Sequence, residues 1–98
     1  MGFRKISVRI PAAESISSIA LFIESKGLLQ TAEKFIDGVY DYFEKLRDNR
    51  KSYAECREAT RKMFGYKCVS YKKKYTIVFI ETDEEIIICE FIPSKMVI

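Results

Sequence analysis

A chain of 98 residues, 48% hydrophobic and 32% charged, with four Gly and two Pro, is sized for a single domain over residues 1–98 and leaves no room for a second core. With no His and three Cys outside any CxxC spacing, the usual zinc and iron ligand sets are excluded, as are Ser-His-Asp and Cys-His nucleophiles, so no metal and no cofactor is expected. The formal net charge of +3 is unevenly spread: residues 51–80 carry eight basic side chains against two acidic ones, and residues 81–98 carry one against five. Such a field can steer a polyanion or an acidic peptide, and the plainer reading of the same block is a solvated face.

Arg4 to Ile10 alternates, with Ile6, Val8 and Ile10 on one side and Lys5, Ser7 and Arg9 on the other, and reads as a half-buried strand. Pro11 ends it and suits the first turn of a helix, where its missing N–H is no loss. Ile16, Ile19, Ala20 and Ile23 then form one apolar stripe, and Gly27 is the stop. Thr31 is the expected N-cap of a second helix. There Ala32, Phe35, Ile36, Val39, Tyr40, Phe43 and Leu46 line one face over four turns, and charged residues fill the other. The short join makes the two helices an antiparallel hairpin.

Residues 51–65 read as either a short helix or an irregular loop. Three strands follow: Tyr66 to Tyr71, then Tyr75 to Glu81, then Glu85 to Ile92. The middle one is nearly all apolar, β-branched and aromatic, as suits a strand buried on both faces. Lys72-Lys73-Lys74 and Thr82-Asp83-Glu84 make the turns. The fold class is therefore α+β: an N-terminal strand, then a helical hairpin packed on one face of an antiparallel-rich sheet that a C-terminal three-stranded meander completes. Phe35, Ile36, Val39, Phe43, Ile77, Phe79 and Ile87 are expected in one core, and the pairing of the first strand is left open.

The opening residues hold no apolar stretch long enough for a signal peptide, and no run approaches the ~20 residues of a membrane helix. An odd number of unpaired-looking cysteines, Cys56, Cys68 and Cys89, reads as free thiols in a reducing compartment. A cytoplasmic protein is expected.

The segments AESISSIALFIES and TAEKFIDGVYDYFEKLRDN, followed by GYKCVSYKKKYTIVFIETDEEIIICEFIPSK, resemble the RelE/ParE toxin superfamily of bacterial type II toxin–antitoxin (plasmid-stabilisation) systems. The resemblance runs from about Arg4 to Lys95. Ala32 and Phe35 opening the second helix and Leu46 closing it bring it closer to the ParE branch. It implies a growth-inhibiting toxin neutralised by a cognate antitoxin, with DNA gyrase the target in the ParE branch and ribosome-bound mRNA, which is cleaved, in the RelE branch.

Nuclease positions are only partly kept. Lys67 matches the first of two family lysines, but Val69 stands at the second. Thr76 follows Tyr75 where the family has an arginine, and Ser94-Lys95 is followed by neither Tyr nor His. Lys67 and Lys95 are thus the only catalytic candidates, and two lysines do not make an acid–base pair for 2′-OH attack. Arg61, Lys62, Lys67, Lys72, Lys73 and Lys74 are candidates for holding a target or nucleic acid, with Tyr66, Tyr71 and Tyr75 interleaved for stacking or for the sheet itself. Met96, Val97 and Ile98, an apolar tail after Pro93, are candidates for contact with the antitoxin. The leading expectation is a non-enzymatic toxin; a ribosome-dependent endoribonuclease and a non-toxic scaffold of the same fold are the alternatives.

Overall fold

The structure, a computed structural model, describes residues 4–48 and 53–96. Its elements run β1 (Lys5–Val8), α1 (Ile10–Ser25), α2 (Leu29–Leu46), α3 (Ala59–Met63), β2 (Lys67–Tyr71), β3 (Tyr75–Glu81), β4 (Glu85–Pro93) and a 3₁₀ turn (Ser94–Met96). The sheet order is β1-β4-β3-β2, with β1 parallel to β4 and the other two pairs antiparallel. This is the expected α+β arrangement, and it answers the open question: the N-terminal strand lies beside the last one. Among the described residues no helix is long and apolar enough to cross a membrane.

The helical hairpin covers one face of the sheet. Ala12 and Ile16 of α1 and Val39, Phe43 and Leu46 of α2 meet Ile77, Phe79, Ile86, Ile88 and Phe91 in a single buried cluster. A bulge sets which β4 residues join it: Val78 pairs with Glu90 but Phe79 pairs with Ile88, so the alternation skips Cys89. Ile86, Ile88 and Phe91 therefore face the helices, and Glu90 faces the other side.

Several expectations shift. Ile87 is only half-buried because its neighbours Ile86 and Ile88 take the core side of the strand. Ile36 is 36% exposed, on the shoulder of a stripe centred on Ala32, Val39, Phe43 and Leu46. Ile10 is not a strand residue: the Arg9 N–H makes a sheet bond to the Ile88 carbonyl, and α1 begins at Ile10 with Pro11 in its first turn. Gly27 reverses the chain as expected, at a φ of +80° that only Gly adopts without strain. The second helix then starts at Leu29 with Leu28 as N-cap, so Thr31 lies inside it and caps nothing.

Residues 54–66 run from the edge of β2 across the free face of the sheet, where Arg61 reaches Glu90, so Val78 is covered there while Ile77 and Phe79 are covered by the helices, and all three are fully buried. This flap carries α3, whose N-cap Glu58 accepts hydrogen bonds from the Thr60 and Arg61 N–H groups. Its ends are tied to β2: the Cys68 N–H donates to the Ala54 carbonyl, the Cys56 N–H donates to the Tyr66 carbonyl, and Glu55 bridges to Lys67. That pairing brings the Cys56 and Cys68 Cα atoms to 4.7 Å, and the two are joined in a disulfide. The expectation of three free thiols is corrected; Cys89 alone is free, and it is buried.

Candidate functional site

The basic residues singled out in the sequence separate into three groups. Arg61 is held on the flap: it donates Nε and Nη2 to the two carboxylate oxygens of Glu90 at 3.0 and 2.7 Å, and Nη1 to Glu58 at 3.0 Å. Its hydrogen bonds to the Glu90 carboxylate hold the Arg61 guanidinium above its ordinary pKa, and the Thr60 and Arg61 N–H groups hold the Glu58 carboxyl below its own. A guanidinium engaged by two carboxylates is a clamp between flap and sheet, with little charge to offer a ligand. Lys62 beside it is exposed on α3.

Lys67 lies at the opposite end of β2 from the lysine turn, about 13 Å of strand from Tyr71 at the usual rise per residue. Its Cα partner is the core residue Phe79, so it leaves the sheet on the helix side, whereas its neighbour Cys68 turns to the flap. Lys67 and Lys95 are therefore not brought together.

Lys72, Lys73, Lys74 and Lys95 do converge. The Ser94 N–H donates to the Lys74 carbonyl at 2.8 Å, which docks the 3₁₀ turn on the β2–β3 turn and sets Lys95 beside Lys73 and Lys74. These three line a cavity of about 430 Å³ with Tyr75, Pro93 and Ser94. On the other side of Tyr75 a second cavity of about 310 Å³ is bounded by Lys34, Lys72 and Lys74. Among the described residues none of these five lysines has an ion-pair partner, although the Lys72 ammonium lies 5.7 Å from the Tyr71 ring centre.

Backbone geometry marks this turn. Lys72 and Lys73 both have positive φ, 53° and 61°, with the Lys74 N–H closing back on the Tyr71 carbonyl. A turn of that kind favours Asn and Gly, and non-Gly residues there cost on the order of 1 kcal/mol each. The aromatic residues nearby serve packing first. Tyr71 is buried, and Tyr75 stacks on Phe91 at 5.0 Å and meets Phe35 edge-on at 5.8 Å. Tyr66 is half-buried on the flap, tilted against the exposed Phe64.

Between flap and sheet run two further hollows, of about 550 and 500 Å³, that meet at Glu58. Their polar groups are mutually engaged: Arg61 with Glu58 and Glu90, and the Thr76 hydroxyl with that of Ser94 at 3.0 Å. Met96 lines the larger one and is 67% exposed; Val97 and Ile98, the rest of the expected partner contact, lie outside the described residues. The lysine turn was legible as a charge run, but the part played by Lys34 and Lys95 was not, since only the folded chain sets them beside it. No family model matches the chain, and no curated protein matches it significantly.

Proposed function

We propose that this protein is the toxin of a bacterial type II toxin–antitoxin pair, and that it acts by binding a polyanionic or acidic target rather than by chemistry of its own. Its binding surface is the end of the sheet where Lys72, Lys73, Lys74 and Lys95 gather. The observation that carries the binding part of this reading is the cluster itself: unpaired lysines held on a turn whose backbone they strain. Lysine at two positions whose φ suits Asn or Gly points to a use for the side chain. The toxin part rests on the resemblance in element order and spacing to the RelE/ParE superfamily, with which the folded arrangement is consistent.

Separation of Lys67 from Lys95 weighs against a ribonuclease, because general acid–base cleavage needs two groups within hydrogen-bond reach of one phosphodiester. A toxin of this class would work in the cytoplasm, with gyrase or the ribosome and its mRNA as the candidate targets, and would be silenced by a small antitoxin. The test is induced expression in bacteria with and without the adjacent small gene, scoring growth, DNA supercoiling and mRNA cleavage. Growth arrest relieved by the neighbour supports the reading, and cleavage of mRNA that survives Lys67→Ala and Lys95→Ala would replace it with an enzyme using other residues. Unchanged growth at full expression overturns it.

A further inference from the structure

The flap, residues 54–66, is held to the sheet by little of what normally holds a covering segment. Cys56, 1% exposed, is the only buried residue in this stretch. Met63 and Phe64 are 77% and 66% exposed, and no residue of α3 is buried. Apolar burial, the main stabilising term of a packed segment, is therefore nearly absent from the flap. Apart from the backbone bonds at its ends, two cross-links take its place. One is the Cys56–Cys68 bond at the edge of β2, and the other is the clamp from Arg61 to Glu90 and Glu58. The clamp is partly exposed and so weakened by water and salt, which leaves the covalent bond as the stronger latch.

The two sulfurs are not equally accessible. Cys56 is buried, but Cys68 is only half-buried and lines the hollow of about 500 Å³ between flap and sheet, beside Arg57, Ser70, Thr76 and Ser94. A small thiol entering that hollow meets Cys68 first. We infer that the Cys56–Cys68 pair is a thiol-exchange site for a low-molecular-weight thiol such as glutathione, entered at Cys68, and that its reduction releases the flap from the sheet. The thiolate attacks the Cys68 sulfur, and the new S–S bond replaces the one to Cys56, which leaves with the electron pair and takes a proton from solvent. A second glutathione attacks the sulfur of the first, forming oxidised glutathione and returning Cys68 as a thiol. Two electrons pass to the protein pair, and exchange with oxidised glutathione runs the same steps backwards. Opening uncovers Val78 and the Glu90 carboxylate on the free face of the sheet. Where thiols are kept reduced, the disulfides that do form are mostly catalytic or redox-sensing, and this one latches a segment with almost no other apolar hold.

The test incubates the intact, oxidised protein with excess reduced glutathione under native conditions and samples it by acid quench, alkylation and limited trypsin digestion. Reduction should proceed in the folded protein, and early samples should carry glutathione on Cys68 and the alkyl label on Cys56. Trypsin should then cut after Arg57 and Lys62 about tenfold or more faster than in the oxidised protein, while Lys34 and Lys45 of α2 stay uncut. Oxidised glutathione should restore the slow rate. The Cys56→Ser/Cys68→Ser variant should be cut at the fast rate with or without glutathione. In the reduced protein Glu90→Gln, which removes the second latch, should speed flap cleavage by a further factor of about three. A bond that glutathione reduces only after denaturation would be a buried structural link, and glutathione trapped on Cys56 would place the entry on the wrong sulfur. Flap cleavage unchanged by reduction would mean that the bond does not hold the flap, and equal acceleration in α2 would mean that it holds the whole fold. Each of these overturns the inference. Neither the bond nor the flap takes part in the toxin reading, so growth arrest and flap release succeed or fail separately.

Discussion

Arg4 and Glu81, 77 positions apart, form a largely buried ion pair at 2.9 Å. The same guanidinium donates to the carbonyls of Leu46, Asp48 and Thr82, so it caps the end of α2 and ties it to the end of β3. Its backbone joins in: the Arg4 N–H donates to the Arg47 carbonyl and the Arg47 Nε donates to the Arg4 carbonyl. One side chain thus replaces the water that three carbonyls and a carboxylate would otherwise need.

The two partners should not be equally costly to remove. Arg4→Met leaves Glu81 unpaired and three carbonyls without their donor, and should lower stability by about 3 kcal/mol. Glu81→Gln keeps an acceptor for the arginine and should cost about 1 kcal/mol. Urea unfolding at neutral pH measures both, and equal losses would show that the carbonyl contacts contribute little.

Gly38, in the middle of α2, sits against Tyr71. A Cβ there would lie 2.8 Å from the Tyr71 hydroxyl, and Tyr71 is held in the core between α2 and the sheet. Gly38→Ala would gain about 1 kcal/mol of helix propensity, yet the ring has little room to move, so a net loss of about 1–2 kcal/mol is expected. Tyr71→Phe removes the obstructing oxygen. In that background the same alanine should be neutral or stabilising, and the coupling is read from a double-mutant cycle.

Much of the fold is legible where a local pattern decides it. The apolar run Ile77-Val78-Phe79 marks a strand covered on both faces, the stripe through Val39 and Phe43 marks α2, and Gly27 marks the turn between helices. What is not legible depends on partners distant in the chain. Nothing local to Cys56 shows that strand pairing brings it to Cys68, and nothing near Arg61 shows Glu90, 29 positions on, at its guanidinium. The bulge at Cys89 has the same character, since it breaks the alternation that would have put Glu90 on the helix side. At the candidate site the charge run Lys72-Lys73-Lys74 is plain in the sequence, while the cavity it shares with Lys34 arises only when α1 and α2 close on β2 and β3.

The strained lysine turn gives a prediction in which stability and binding move in opposite directions. Replacing Lys72 by Asn and Lys73 by Gly provides residues suited to positive φ and should raise stability by about 1–2 kcal/mol in total. Removing two cations from the surface should weaken binding to a polyanion such as heparin and flatten its dependence on salt. A variant no more stable than the parent would mean that the lysines cost the turn nothing, and strain at Lys72 and Lys73 would no longer support a binding role.

The disulfide should be both detectable and consequential. Alkylation of the denatured, unreduced protein should add one label, at Cys89, and prior reduction should raise that to three. Cys56 and Cys68 are 12 positions apart, and closing a loop of that size is worth about 3 kcal/mol through the unfolded chain. The Cys56→Ser/Cys68→Ser double variant should lose about that much, with the flap the first region to gain amide exchange. Three labels without reduction would remove the bond. Repeating the alkylation on cells quenched with acid reports whether the pair is oxidised where the protein works, which in a reducing cytoplasm is uncommon.

The pH dependence is set on the alkaline side. Burial pushes up the Tyr71 hydroxyl and the Tyr53 hydroxyl, and it pushes up the Cys89 thiol. Each of these groups is neutral when protonated, and each binds its proton more tightly folded than unfolded. Their contribution is whole below the unfolded pKa values, about 8.5 for Cys and about 10 for Tyr, and is lost as pH rises through the folded values. Glu58 acts at the other end. Hydrogen bonds from the Thr60 and Arg61 N–H groups depress its pKa, so its contribution is present above about 4.3 and is lost as pH falls through the depressed value. The melting temperature should therefore hold between about pH 6 and 8 and decline above about pH 9. Tyr71→Phe combined with Cys89→Ala should make that alkaline decline shallower, whatever it does to stability at pH 7. An identical alkaline slope in parent and variant would show that these buried groups do not control it.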